Sequence, residues 1–274
     1  MPAEADLAPS RSTVIEGDAA TVLSGLAPES FRCCVTSPPY WGLRDYGVRG
    51  QIGAEAEPAE YVARLVEVFA GVRRVLAADG TLWLNVGDSY TSGNRGYRAP
   101  DRKSPVRAMS YRARTPRGLK PKDLVGIPWR LAFALQDDGW TLRSDVVWEK
   151  PNCMPESVKD RPTRSHEYLF LFSRAERYLY RGERIEERGG RNRRSVWSIP
   201  TEAFPGAHFA TFPPALVEPC VLAGSDPGDR VLDPFFGAGT VGLVCERLGR
   251  GCLGIEINPE YVALARARLA AGGR

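Results

Sequence analysis

Histidine is nearly missing from this chain: His166 and His208 are the only two in 274 residues. Six cysteines occur, but no two stand in a Cys-x-x-Cys spacing, so a structural zinc site is disfavoured and no metal is expected. In a chain of this length they are not a disulfide framework either. Cys33, Cys34, Cys245 and Cys252 lie in apolar contexts and read as small core residues. No apolar run approaches the roughly 20 residues that a membrane helix needs. The stretch from Met1 to Ser12 is polar and has no secretory pattern, so a soluble, cytoplasmic protein is expected. A strong charge of either sign is lacking too. The net charge is +4, and its distribution says more than its sum. What is present is apolar material: 43% hydrophobic residues support a sizeable core, and the length fits one large domain spanning 1–274.

Thr36-Ser37-Pro38-Pro39-Tyr40-Trp41 is the stretch around which the chain is organised. It follows Cys33-Cys34-Val35, a short apolar run that reads as the end of a buried strand. Two consecutive prolines lack N–H donors and fix φ, so they stiffen a corner at the strand's C-terminal edge. Ligands bind at such edges in open α/β sheets. A hydroxyl, fixed carbonyls and an aromatic face within four residues suit a planar ring that carries an amine. Ser37 and the Pro38 carbonyl would accept from the amino group, and Tyr40 would stack on the ring. The competing interpretation is a stiff loop only, because Ser-Pro and Pro-Pro pairs are common loop punctuation.

The remainder reads as alternating strands and helices. Thr13 to Glu16 predicts a strand, followed by Gly17 and by Asp18, which is placed to N-cap a short helix. Apolar residues from Tyr61 to Leu76 recur at about the helical period of 3.6, Asp79-Gly80 closes that helix, and Thr81 to Val86 follows as a strand. Ile127 to Gln136 predicts a helix and Thr141 to Glu149 a strand. Tyr168 to Phe172 is a continuous apolar run typical of a buried strand, and Tyr178-Leu179-Tyr180 reads as a short one. His166-Glu167, just before that strand, reads as either an active-edge pair or a strand-end cap, with the structural role favoured because nothing nearby makes a metal or triad constellation. Residues 88–122 break the pattern and form a basic loop. Arg95, Arg98, Arg102, Lys103, Arg107, Arg112 and Arg114 lie here, interleaved with tyrosines, which suits a polyphosphate partner; the alternative is a solvated insertion. Residues 177–204 carry a second basic stretch, where Arg193 and Arg194 would supply groove contacts. The glutamates mixed into it make a salt-bridged surface the competing interpretation.

Near the C-terminus a strand ending at Asp233 runs into Pro234-Phe235-Phe236-Gly237-Ala238-Gly239-Thr240, a helix, and a further strand from Cys252 to Glu256. Gly237 and Gly239 allow close backbone approach to a ligand, and the helix start offers N–H groups to an anion. Glu256 stands where an acid binds ribose hydroxyls in nucleotide-binding folds. The turn is Gly-x-Gly-Thr rather than Gly-x-Gly-x-x-Gly. That disfavours a dinucleotide and fits a nucleoside with a carboxylate tail, such as S-adenosylmethionine (SAM).

At these two motifs the chain resembles the amino-group DNA methyltransferases, with a motif order like that of the beta class. Asp233 to Thr240 resembles the SAM motif, Thr36 to Tyr40 the catalytic motif, and His208 to Pro213 the segment that packs on the methionine part of SAM. Gly17-Asp18 is similar to the element that contacts adenine, and Gly80–Asp88 and Ser165–Ser173 match weaker family strands. The resemblance implies a Rossmann-like α/β methyltransferase sheet, circularly permuted because the catalytic motif comes first, with basic loop insertions. It implies SAM as cofactor, held by Asp18, Ala210, Phe212, Asp233, Phe235, Gly237, Gly239, Thr240, Glu256 and Asn258. The catalytic residues would be Ser37, Pro38, Pro39 and Tyr40. Serine at the first motif position usually accompanies methylation of the cytosine N4 amine, and Asp or Asn there usually accompanies adenine N6. The implied partners are double-stranded DNA, a second copy of the chain, and a restriction endonuclease acting on the same site, with a location at the nucleoid. Pro219-Cys220 resembles the nucleophile of carbon-methylating cytosine enzymes only superficially, and a core role is expected of it. The alternatives are adenine N6 methylation, RNA as substrate, or a non-catalytic nucleic-acid-binding α/β domain; the last leaves both motifs without a purpose.

Overall fold

The computed structural model describes residues 11–92, 114–202 and 212–272. In chain order the elements are β1 (Thr13–Glu16), α1 (Ala19–Ser24), β2 (Phe31–Thr36), α2 (Pro58–Val75), β3 (Leu76–Val86), α3 (Ile127–Asp137), β4 (Thr141–Glu149), β5 (His166–Ser173), β6 (Val196–Ser198), α4 (Pro214–Gly224), β7 (Arg230–Asp233), α5 (Thr240–Arg247), β8 (Gly251–Glu256) and α6 (Pro259–Gly272). No helix among the described residues is long and apolar enough to cross a membrane.

The strands form one eight-stranded sheet in the order β1-β8-β7-β2-β3-β5-β4-β6. The C-terminal pair β7 and β8 therefore lies between β1 and β2, which is the permuted arrangement expected from the motif order. Every pairing is parallel except those of β5, which runs antiparallel to both β3 and β4. The reversal has a direct consequence. The start of β5 lies at the same sheet edge as the ends of its neighbours.

Side chains alternate across the sheet, as the period of two requires. Cys34, Leu82, Leu84, Leu232 and Ile255 face a core built with α1, α2 and α3. Cys33, Val35, Trp83, Val231 and Cys252 face the other, built with α4, α5 and α6. Helix α2 presents Tyr61, Leu65, Val68, Phe69, Val72 and Val75 to the first core, all buried. Pro58 starts that helix, where a missing N–H costs nothing. The Arg74 guanidinium closes the end of α1 by donating to the carbonyls of Leu23 at 2.6 Å and Leu26 at 2.9 Å. Cys33, Cys34, Cys220, Cys245 and Cys252 are all buried, in keeping with core roles.

Three expectations need correction. Helix α2 ends at Val75, and β3 starts at Leu76 and passes through Asp79-Gly80, which do not break it. An irregularity in the β2–β3 register, where Phe31 pairs with Leu76 and Cys33 with Thr81, absorbs the extra residues. Tyr178–Tyr180 is not a strand: the Leu179 N–H donates to Asp79 and the Arg181 N–H to Ala223, on two different elements, so no ladder forms. The eighth strand is instead β6, whose Trp197 is buried between exposed Val196 and Ser198.

Candidate active site

The sheet edge gathers the two sequence motifs into one cavity of about 840 Å³. Ser37, Pro38, Pro39 and Tyr40 leave the end of β2 and line it. So do Asp18 after β1, Phe235, Gly237 and Thr240 after β7, Glu256 at the end of β8, and Phe212. Asp233, Gly239 and Asn258 lie behind the lining rather than in it. Ala210 falls outside the described residues, as do Arg95, Arg98, Arg102, Lys103, Arg107 and Arg112.

Asp18 is the N-cap of α1. Its Oδ1 accepts from the Thr21 N–H and from the Thr21 hydroxyl, both at 2.9 Å. Glu256 Oε2 accepts from the Gly237 N–H at 2.8 Å and Oε1 from the Asn258 N–H at 2.8 Å. Burial raises its carboxyl above the usual range, against those bonds. Gly239 sits at φ +80°, with the space for a Cβ limited by Phe236 and Ala265 at 3.3 Å. Glycine is thus required at this turn.

Asp233 is fully buried beneath the turn. Its Oδ1 accepts from the Thr36 hydroxyl at 2.6 Å and from the Phe235 N–H at 3.1 Å, which ties the proline corner to the glycine turn. Its Oδ2 finds no hydrogen-bond partner among the described residues. Burial therefore pushes its pKa from 3.8 up to about 7. A carboxyl raised on folding stabilises the folded state fully below its unfolded pKa and loses that contribution as pH rises through the folded value. The chain should accordingly lose stability between about pH 4 and pH 7 on this account. Asp233→Asn is expected to flatten that slope, measured as urea midpoints at pH 5 and pH 8.

The Ser-Pro-Pro-Tyr corner is held from beneath. The Pro39 carbonyl accepts from Tyr61 Oη at 2.8 Å, and Trp41 Nε1 donates to the Glu55 carbonyl at 2.9 Å. Ser37 Oγ donates to Asn85 Oδ1 at 3.2 Å, and Tyr40 Oη donates to Glu167 Oε2 at 2.6 Å. Asn85, buried in β3, donates its amide to Glu167 Oε2 at 3.2 Å and to the Tyr168 carbonyl at 3.1 Å. Burial, with Glu167 beside it, raises the Tyr40 phenol well above its usual range, so Tyr40 keeps its proton.

The comparisons with known proteins agree with this geometry. A family model described as DNA methylase, covering the N6 and N4 methyltransferases, matches residues 31–267. The chain belongs to that family. The methylase is 65% identical to the Type II methyltransferase M.XycI of Xanthomonas campestris pv. cyanopsidis over 94% of this chain and 87% of that one. It is 61% identical to the Type II methyltransferase M.SmaI of Serratia marcescens over 93% and 90%. Among solved structures, a DNA modification methylase of Thermus thermophilus in complex with SAM matches with a TM-score of 0.69 at 26% identity, over 95% and 94%. The cytosine-N4-specific PvuII DNA methyltransferase matches with a TM-score of 0.73 at 23% identity over 95% and 88%, a likeness of fold. The methylase is thus a SAM-dependent DNA methyltransferase with the permuted α/β sheet of its family.

Glu167 lines the cavity, where the sequence alone favoured a strand-end structural role over an active-edge pair. The antiparallel course of β5 carries its first residues to the cavity, and Lys150 from the end of β4 pairs with Glu167 there. Asn85 and Lys150 were also missed as site residues. Their only signal is their place at strand ends, which becomes informative once the strand order is known.

Among the described residues, Arg44, Lys150 and Arg164 line the cavity, whereas the basic residues singled out for DNA lie away from it. Arg114 is exposed at the border of the described residues. Arg193 stacks over the Trp197 ring at 4.3 Å, and Arg194 pairs with Glu187 at 3.1 Å, as the salt-bridged alternative anticipated. Neither lines the cavity. The basic insertion starts and ends at one point on the cavity rim. Asp88 Oδ1 accepts from the Ser89, Gly126 and Ile127 N–H groups at 2.9–3.0 Å, and the Val125 N–H donates to the Ser89 carbonyl at 2.9 Å.

Proposed function

We propose that the chain transfers a methyl group from SAM to the N4 amine of a cytosine flipped out of double-stranded DNA, in one direct step. The observation that carries the proposal is Ser37 sharing one cavity with Gly237 and Glu256. A hydroxyl that already gives its proton to Asn85 has lone pairs left to accept from an amine.

The cavity fits the cofactor. Its volume lies in the 300–1,000 Å³ range common for pockets that bury small molecules. Asp18, Phe212, Phe235, Gly237, Thr240 and Glu256 would hold SAM, with Asp233 and Gly239 shaping the turn behind them. Glu256 supplies acceptors for ribose hydroxyls. SAM supplies a methyl group on a sulfonium, already activated for attack. Glu256→Ala is expected to remove charge-assisted bonds of roughly 1.5–3 kcal/mol, weakening SAM by about ten- to a hundredfold in Kd by calorimetry. Unchanged affinity would contradict the cofactor assignment.

The cytosine amine is a poor nucleophile because its lone pair is delocalised into the ring. Ser37 Oγ and the Pro38 carbonyl accepting both N–H bonds would favour a pyramidal nitrogen whose lone pair points at the methyl group. The residues contribute orientation and electrostatics rather than a covalent intermediate. A base inside a duplex cannot reach this edge, so it flips out at a cost of a few kcal/mol, which stacking on Tyr40 offsets in part. The basic insertion 88–122, with Arg95, Arg98, Arg102, Lys103, Arg107, Arg112 and Arg114, would contact phosphates beside the cavity mouth, and 177–204 would contribute through Arg193 and Arg194. A restriction endonuclease cutting the same site, a homodimer and a place at the nucleoid complete the proposal. Mass spectrometry of nucleosides from DNA of cells that express the chain tests it. N4-methylcytosine is the expected product, and N6-methyladenine alone would overturn the choice of base.

A further inference from the structure

Neither the cofactor turn nor the amine-accepting corner needs an ion pair, yet one is built into the cavity wall. Glu167 and Lys150 pair there, with side chains only 16% and 17% exposed. Lys150 Nζ also lies 4.2 Å from the centre of the Trp148 ring, which fixes the ammonium on its other side. Burying such a pair is costly unless its members are fully bonded, so its retention calls for a reason. Glu167 uses one oxygen for Lys150 and the other for Tyr40 and Asn85. Tyr40 Oη in turn stands 3.5 Å from Ser37 Oγ. Ser37, Tyr40 and Glu167 thus form a line of oxygens from the amine-accepting corner to a carboxylate. Asn85 braces all three, and as an amide it does not take up a proton.

We propose that Glu167 is the final acceptor of the proton that the target amine gives up, reached through Ser37 and Tyr40, and that Lys150, bonded to its other oxygen, fixes the orientation of the Glu167 side chain. The proposal rests on the reading that the amine sits at Ser37. When the N–C bond forms and the S–C bond breaks, sulfur keeps the bonding pair. Nitrogen is left with the methyl group, two hydrogens and a positive charge. It gives one proton to Ser37 Oγ while the serine proton, turned from Asn85 Oδ1 toward Tyr40 Oη, passes to Tyr40 Oη and the tyrosine proton to Glu167 Oε2. The products are a neutral methylated amine, an unchanged serine and tyrosine, and a neutral Glu167 carboxyl that later returns its proton to water. The Ser37–Tyr40 step is the longest at 3.5 Å, and catalytic hydrogen bonds commonly tighten only with substrate in place. Glu167 acts through Tyr40 and is therefore a positioning residue. The titratable groups facing it are Lys150, Tyr40 and His166, with Arg164 beyond His166.

The test is single-turnover transfer of tritiated methyl from SAM by the full chain to unmethylated, PCR-amplified bacterial genomic DNA from pH 5.5 to 9, with SAM affinity measured alongside. Glu167→Gln is expected to bind SAM within threefold of wild type and to transfer methyl at least a hundredfold more slowly at pH 6–7, recovering as the pH rises and water takes the proton. Tyr40→Phe should behave alike, and the double variant should be no slower than the slower single one, since both interrupt one line. Glu167→Gln within threefold of wild type at every pH would overturn the relay. So would an equal loss at every pH or an additive double variant, which would make Glu167 a brace for Tyr40 only. Wild-type enzyme that transfers no label would instead remove the reading of the site on which the relay rests.

Discussion

Ser37→Ala should leave SAM affinity within about threefold of wild type and reduce methyl transfer by at least a hundredfold, in line with the roughly 10²–10³ lost when one preorganised hydrogen-bonding group is removed from an active site. The reason is geometric. Ser37 hydrogen-bonds to side chains alone, Asn85 Oδ1 and the Tyr40 hydroxyl, so its loss deletes no backbone contact. The side chain is half-buried at the cavity wall, and stability should change by less than about 1 kcal/mol. Alanine therefore removes an acceptor for the amine without disturbing the glycine turn. Calorimetry for the cofactor and rapid-quench methyl transfer separate the two effects. Near-normal transfer would take Ser37 out of the reaction.

Gly87→Ala should be nearly as damaging for a steric reason. A Cβ at Gly87 would lie 2.5 Å from Tyr40 Cε2 and 3.0 Å from Cδ2. The ring cannot simply rotate away, because its hydroxyl is bonded to Glu167 at 2.6 Å and its backbone follows two prolines. Alanine must push the ring toward the space intended for the base. We expect turnover to fall roughly a hundredfold, as misplacement of about 1 Å can cause, with about 1–3 kcal/mol lost to overpacking. SAM binding should persist, because Gly87 stands after β3, away from the turn after β7. A variant with normal turnover would show that Tyr40 can yield, and its proposed stacking role would fall with that result.

The parts of the site legible in the sequence are those whose chemistry is local. Two prolines after an apolar strand make a corner wherever the strand lies, and Gly-Ala-Gly-Thr before a helix makes a turn wherever the helix packs. Asp18 was placed correctly as a cap because capping involves only the next three residues. Glu167, Asn85 and Lys150 were not legible, because their roles depend on which strands are neighbours. In sequence the first is 82 residues from the second, yet Asn85 Nδ2 and Glu167 Oε2 stand 3.2 Å apart. The three-residue β6 is not legible because only one of its residues, Trp197, is buried and it follows an arginine-rich stretch. Tyr178–Tyr180 misled for the converse reason: Tyr178 packs on the second core and against Tyr180, while the backbone bonds of the stretch go to separate partners.

The clamp at Asp88 has a consequence for how this scaffold could change. A single carboxylate receives the chain where it leaves the sheet after β3 and where it re-enters at α3. Lengthening a surface excursion tethered in this way costs only slowly growing closure entropy. On the proposed function, exchanging residues 93–113 while keeping Leu119 on the first core and the clamp at Asp88 would let one scaffold take up new DNA preferences.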